Sequence, residues 1–184
     1  MIATKANIKV RDISDRFKYQ IKMTSDKKKI SATEADWSRE KLTKWWNPAR
    51  QLIKSIRQYQ NNQKNPNILS NIWKIWYVLE HRFWSAVSGA DIPLNCQIGG
   101  GLLLPHPNGV VIHPKAQIGV NCIIFQQVTI VKNVTIGGHV DIGAGAKIIK
   151  PVTIENHAKI GANAVVLKDI SEGKTAVGVP AKVI

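Results

Sequence analysis

Cysteine is nearly absent from this chain, with two residues in 184, and methionine is equally rare. Two thiols cannot make a disulfide-dense scaffold, so the fold has to be held by its core. Acidic residues are scarce as well, 12 against 26 Lys and Arg, for a formal net charge of +14. No uncharged apolar run is long enough to span a bilayer, and the first residues lack the apolar segment of a secretory signal. The expected location is therefore the cytoplasm, with no membrane span. Tryptophan is missing after residue 90: all six, Trp37, Trp45, Trp46, Trp73, Trp76 and Trp84, come earlier. Charge is skewed the same way, net +10 over residues 1–66 and +3 over residues 91–184. The two parts are therefore built on different principles. Residues 1–30, ending near Lys27-Lys28-Lys29, read as a flexible basic arm. Without interleaved aromatics or a DNA-binding spacing, no nucleic-acid partner is expected.

What the second part has is a period of six. Ile92, Ile98 and Leu104 are followed by Ile112, Ile118, Ile124, Ile130, Ile136, Ile142, Ile148, Ile154, Ile160 and Val166. Two residues before nearly all of them stands a second apolar residue, small or β-branched except at Leu102, as in Val128, Val134, Val140 and Ala146. Both cysteines, Cys96 and Cys122, fill that small slot, which makes them core residues and not reactive thiols. Turn formers occupy the remaining positions. Six residues fit neither a helix nor a hairpin array; they fit a solenoid of short strands, a mainly β parallel helix over residues 91–167. Residues 31–90 read as α-helical, with a helix start among Ser31–Asp36 and a second at Asn47-Pro48. A long amphipathic helix is expected over Ile68–Val87, stopped by Gly89, and residues 168–184 form a tail.

The phase breaks once, where Leu104 to Ile112 takes eight residues. The extra pair falls in Pro105-His106-Pro107-Asn108-Gly109, and irregular loops on rigid scaffolds tend to carry chemistry. Three hexads per coil would stack residues 18 apart at about 4.8 Å. Ile124, Ile142 and Ile160 then share a corner with Leu104, and Gly143-Ala144 and Gly161-Ala162 continue a column headed by His106. Small residues there would leave backbone amides open to a long thin ligand. Asp91, one short coil before His106, is a candidate to fix its tautomer and leave its other nitrogen as a general base; a structural Asp capping the first coil is the competing reading. His139 and His157, 18 apart, should stack as a solvated turn pair, and no metal site is expected.

These residues resemble the serine acetyltransferase family of hexapeptide-repeat acyltransferases over roughly residues 75–184. The resemblance is carried by Ala90-Asp91-Ile92, Leu104 to Ile112, Ile142-Gly143-Ala144-Gly145-Ala146-Lys147, Ile160-Gly161-Ala162-Asn163 and Gly178-Val179-Pro180-Ala181-Lys182. It implies that the β-helix is left-handed and that Asp91 and His106 form a catalytic dyad. It also implies that acetyl-coenzyme A, the co-substrate, lies between subunits of a homotrimer or a multiple of one. The chain departs from the family at three places. Pro105 replaces an Asp that helps hold serine. Val131-Lys132-Asn133 runs straight through where an Arg-His-Pro loop would bind the serine carboxylate, so Lys132 is expected to be the nearby cation. Asn47-Pro48-Ala49 echoes a family Asp-Pro-Ala.

The expected function is acetyl transfer from acetyl-coenzyme A to a small-molecule hydroxyl, with serine as the implied acceptor and a sugar hydroxyl as the alternative. A scaffold solenoid would have no use for the bulge or the Asp–His pair. Neither cysteine is placed for an acyl-enzyme, which favours direct transfer. Lys168 and Lys182 are candidates, on charge and position, for the coenzyme phosphates.

Overall fold

The computed structural model describes residues 30–64 and 70–184. The basic arm, apart from its last residue, and the expected first turn of the long helix at Ile68 lie outside them.

The hexads wind as a left-handed parallel β-helix of about four turns. Its first face carries β1 (Gln97–Ile98), β3 (Gln117–Ile118), β6 (Thr135–Ile136) and β9 (Thr153–Ile154). The second carries β4 (Ile123–Ile124), β7 (Asp141–Ile142), β10 (Lys159–Ile160) and β12 (Thr175–Val177), closed by the antiparallel β13 (Lys182–Val183). The third carries β2 (Val111–Ile112), β5 (Thr129–Ile130), β8 (Lys147–Ile148) and β11 (Val165–Val166). Register follows the expected spacing: Ile124 pairs with Ile142 and Ile142 with Ile160. The first coil alone is longer, Gln97 pairing with Gln117, which is where the bulge takes its two extra residues.

Each strand turns one residue out and one in, and the inward one is the hexad aliphatic. Ile124, Ile142, Ile148 and Ile154 are completely buried, as are the small-slot residues Ala116, Val128, Val134 and Ala146. Burying one such isoleucine contributes about 1.5–3 kcal/mol. Cys96 and Cys122 join them, and burial pushes their thiols up to about 12 and about 11. Most corners turn through a left-handed residue, glycine at some and a larger residue at others. Asn121, Gln127, Asn133, His139, His157 and Asn163 are the larger ones, with φ between 52° and 59°.

The helical region differs from expectation at its start. Ser31–Asp36 begins no α-helix; a single 3₁₀ turn, Trp37–Glu40, follows Asp36 as its cap. Residues 31–40 instead run as a strap over the corner between the first and second faces, because side chains there capture the backbone that a helix would use. Asn121 accepts from the Asp36 amide (2.8 Å) and donates to the carbonyls of Ser31 (2.8 Å) and Glu34 (2.7 Å). Gly138 lies so close beneath that an added methyl would collide with the Ala32 carbonyl. Glu40 accepts from the amides of Gly101 and Leu102 and is gripped by Arg57, which also donates to the carbonyls of Ile98 and Gly99.

Two α-helices follow. α1 (Pro48–Lys64) opens as its sequence predicts, with Asn47 accepting from the Arg50 amide at 3.1 Å. α2 (Ser70–Ser88) ends at Gly89, φ +67°. The Gly89 carbonyl then accepts from the Gly109 amide at 2.7 Å, which staples the helix end to the bulge.

Replacing Asn121 by Ala would orphan the strap's three partners and force a left-handed backbone on a residue that resists it. Asn121→Ala should lose about 2–4 kcal/mol, read as a lower melting temperature, whereas Gln117→Ala on the exposed side of β3 should not.

Candidate functional site

The bulge stands on the corner between the second and third faces. Leu103 bridges Ile123 on one side of it, and on the other the Gln127 amide donates to the Asn108 carbonyl at 2.9 Å. The two extra residues therefore fall within Pro105–Pro107, with His106 exposed at the tip. It faces a cavity of about 350 Å³ whose other walls are Asn47-Pro48-Ala49 at the start of α1 and Val87-Ser88 at the end of α2. A second cavity of about 280 Å³, reaching Arg50, Ile53 and Leu102–Leu104, shares Asn47, Ala49 and Pro105 with it. A larger one, about 690 Å³, lies between the helices and is lined by Trp45, Trp76, Phe83 and Trp84. No histidine borders it, so the candidate site is the cavity that His106 lines.

Asp91 is brought alongside the same loop. Its amide donates to the Val110 carbonyl (2.8 Å), and its carbonyl accepts from the Ile112 amide (2.9 Å). The backbones thus run together as the sequence expects. Among the described residues no hydrogen bond joins the Asp91 carboxylate to the His106 imidazole; both side chains are exposed and no buried partner fixes either rotamer. Gln126, one coil on from the bulge, has a buried side-chain oxygen with no hydrogen-bond partner.

The column of small residues is present, but its amides divide. Gly143 and Gly161 spend their N–H groups on the carbonyls of Ile160 and Ala176, both at 2.8 Å. A methyl added at Gly143 would meet the Ala162 nitrogen at 2.6 Å, and one at Gly161 would meet Val177 at 2.7 Å, so both glycines serve close coil packing. The amides of Ala144 and Ala162 donate to no backbone carbonyl among the described residues. They are the donors a ligand at this corner would meet. Lys182 pairs with Val177, next to Gly161, and stands at the same end. Lys168 does not: it follows β11 and sits on the opposite edge of the third face, in line with Lys132 and Lys150. Lys132 is thereby also removed from His106, contrary to expectation, because the straight path through Val131-Lys132-Asn133 keeps it on that far corner.

Sequence reading missed Asn47 and Arg50 as wall residues. The Asn47-Pro48-Ala49 echo was the available signal, but only the folded helix pair shows that it faces His106.

His139 and His157 stack as the spacing predicts, their Nδ1 atoms lying 2.9 Å apart, but the pair is half-buried where a solvated one was expected. Among the described residues, no group of three or more His, Cys, Asp or Glu is arranged to hold a metal ion.

No family model matches the chain. Curated relatives do. It is 47% identical over 108 residues to a probable serine acetyltransferase 4 of Oryza sativa subsp. japonica, covering 54% of this chain and 34% of the relative. It is 39% identical over 106 residues to a serine acetyltransferase of Helicobacter pylori (strain J99), covering 53% and 62%. Among solved structures, a serine acetyltransferase complex with CoA superposes with a TM-score of 0.64 at 32% identity, covering 76% of this chain and 57% of that one. Soybean serine acetyltransferase complexed with serine gives 0.62 at 29%, covering 76% and 58%. The resemblance read from residues 75–184 is borne out in sequence and structure, although the chain spans only about a third to three-fifths of these relatives' length.

Burial holds the His139 imidazole below its ordinary 6.5, with His157 adding to the effect and Asp141 opposing it. Burial does the same to His81 between the helices. The unfolded chain takes up these protons first, so stability is complete above about pH 6.5 and is lost as pH falls below it. The melting temperature should therefore drop between about pH 8 and about pH 5. His139→Asn, whose side chain tolerates φ 52°, should shrink the drop; an unchanged drop would contradict the account.

Proposed function

We propose that this chain is an acetyl-coenzyme A-dependent O-acetyltransferase of the serine acetyltransferase type, working in the cytoplasm. The observation that carries the reading is His106. It sits on the bulge that lengthens the first coil of the β-helix, facing a cavity between that loop and two helix ends.

The residues present suit the co-substrate. Ala144 and Ala162 offer unspent amides on a corner kept narrow by Gly143 and Gly161, with Lys182 at its end. Bound there, acetyl-coenzyme A would supply an acetyl group activated as a thioester. His106 takes the proton from the acceptor hydroxyl as that oxygen forms the new ester bond, and returns a proton to the departing thiolate. Asp91 orients the imidazole and stabilises its protonated form, acting through His106. With both thiols buried and raised in pKa, no cysteine competes as an acyl carrier. A homotrimer, or a multiple of one, would place the corner of one subunit against the bulge of the next.

Serine is the leading acceptor, because the relatives with which the chain aligns are named for it. A sugar hydroxyl is the second reading. It is favoured by Pro105 and by a cavity whose described walls hold no carboxylate to pair an ammonium group.

His106→Ala should lower thiol release from acetyl-coenzyme A by about 10²–10⁴-fold with folding intact. Asp91→Asn should cost less. An unchanged rate in the His106 variant would remove the mechanism. Light scattering should find a trimer or its multiple; an active, stable monomer would refute the shared site.

A further inference from the structure

The two cavities beside His106 have an unusual charge inventory. They meet at Asn47, Ala49 and Pro105, with His106 at one end and Arg50 at the other. Among the described residues that line them, Arg50 carries the only permanent charge, and the rest are apolar or neutral. Arg50 is half-buried, so its side chain reaches both the cavity it lines and solvent.

Arg50 is also set apart from its neighbours. Arg57 is paired with Glu40 at 2.8 Å, and Lys54 lies 3.6 Å from Glu80. Arg50 has no acidic partner among the described residues. Both of its hydrogen bonds run from one nitrogen, Nη1, to the Lys41 carbonyl and, at 3.2 Å, to the Thr43 hydroxyl. Those contacts hold the guanidinium in place and leave Nη2 and Nε unspent. A guanidinium with two free donors in a fixed fork matches a carboxylate. The N-terminal end of α1, where Arg50 sits, adds partial positive charge of the same sign.

We infer that Arg50 determines acceptor specificity, binding a carboxylate carried by the same small molecule whose hydroxyl is presented to His106. The acceptor class is then a hydroxy acid. Serine belongs to it through its carboxylate, not its ammonium group, whereas an uncharged sugar would leave Arg50 unanswered. This rests on the reading of His106 as the base at the acceptor cavity.

Three compounds separate the groups: L-serine, 3-hydroxypropionate, which lacks the ammonium, and L-serinamide, which lacks the carboxylate. With the full chain, 3-hydroxypropionate should be acetylated nearly as well as serine, and serinamide far less. Arg50→Gln should raise KM for the two carboxylates roughly 10–100-fold and so collapse their preference over serinamide. Arg50→Lys should restore part of it. KM for acetyl-coenzyme A and the melting temperature check that the strap at Lys41–Thr43 stays intact. A preference that survives in Arg50→Gln overturns the inference even if transfer is brisk. Calorimetric titration with 3-hydroxypropionate separates the two claims. Arg50-dependent binding without thiol release upholds Arg50 and refutes the enzyme reading; absence of both binding and release overturns both.

Discussion

Everything in this molecule depends on the in-register stacking of one coil upon the next. All but one of the strands are two residues long, and none could exist alone; their amides are satisfied by carbonyls of the neighbouring coil. That requirement fixes the inward aliphatic at every sixth position and a small residue two places before it. It also sets a left-handed residue at most corners. Corner glycines such as Gly119 and Gly143 follow from the same constraint, since a methyl on either would strike the backbone of the next coil. The core has no freedom to shift, and so anything that departs from the period is displaced to the surface.

The bulge at Pro105–Gly109 is that departure, and its position gives it meaning. It emerges where the end of α2 is tied to Gly109 and where the first turn of α1 passes, so an irregular loop becomes one wall of a cavity. Rigidity on the solenoid side comes from the ladder. On the helical side it comes from the strap, in which Asn121, Glu40 and Arg57 fasten residues 31–40 and α1 to the β-helix corner. The candidate base is thus held between two elements that are both anchored to the same coils.

Most of the β-helix was legible in the sequence because its constraint is periodic and local. Register, buried residues, the place of the bulge and the His139–His157 stack all follow from counting by 6 and 18. The helical part was only half legible. Asn47-Pro48 and Gly89 marked true helix ends by their chemistry, but the Ser31–Asp36 segment looked like a helix start and became a strap. The deciding partner, Asn121, lies 90 residues from Ser31 and leaves no local signal. Arg50 was illegible for the same reason, since its cavity exists only once α1 meets Leu102–Pro105. Lys132 and Lys168 show the same limit, since the corner on which each stands follows from the coil register and not from charge.

The central claim is that the cavity at His106 transfers acetyl groups to the serine hydroxyl. Its most direct test is mass analysis of the product formed by the purified full chain from acetyl-coenzyme A and isotopically labelled serine. The account predicts labelled O-acetylserine in the presence of the unaltered chain and none with His106→Ala. Formation of the ester at equal rates by both proteins, or of no acetylated acceptor by either, would contradict it.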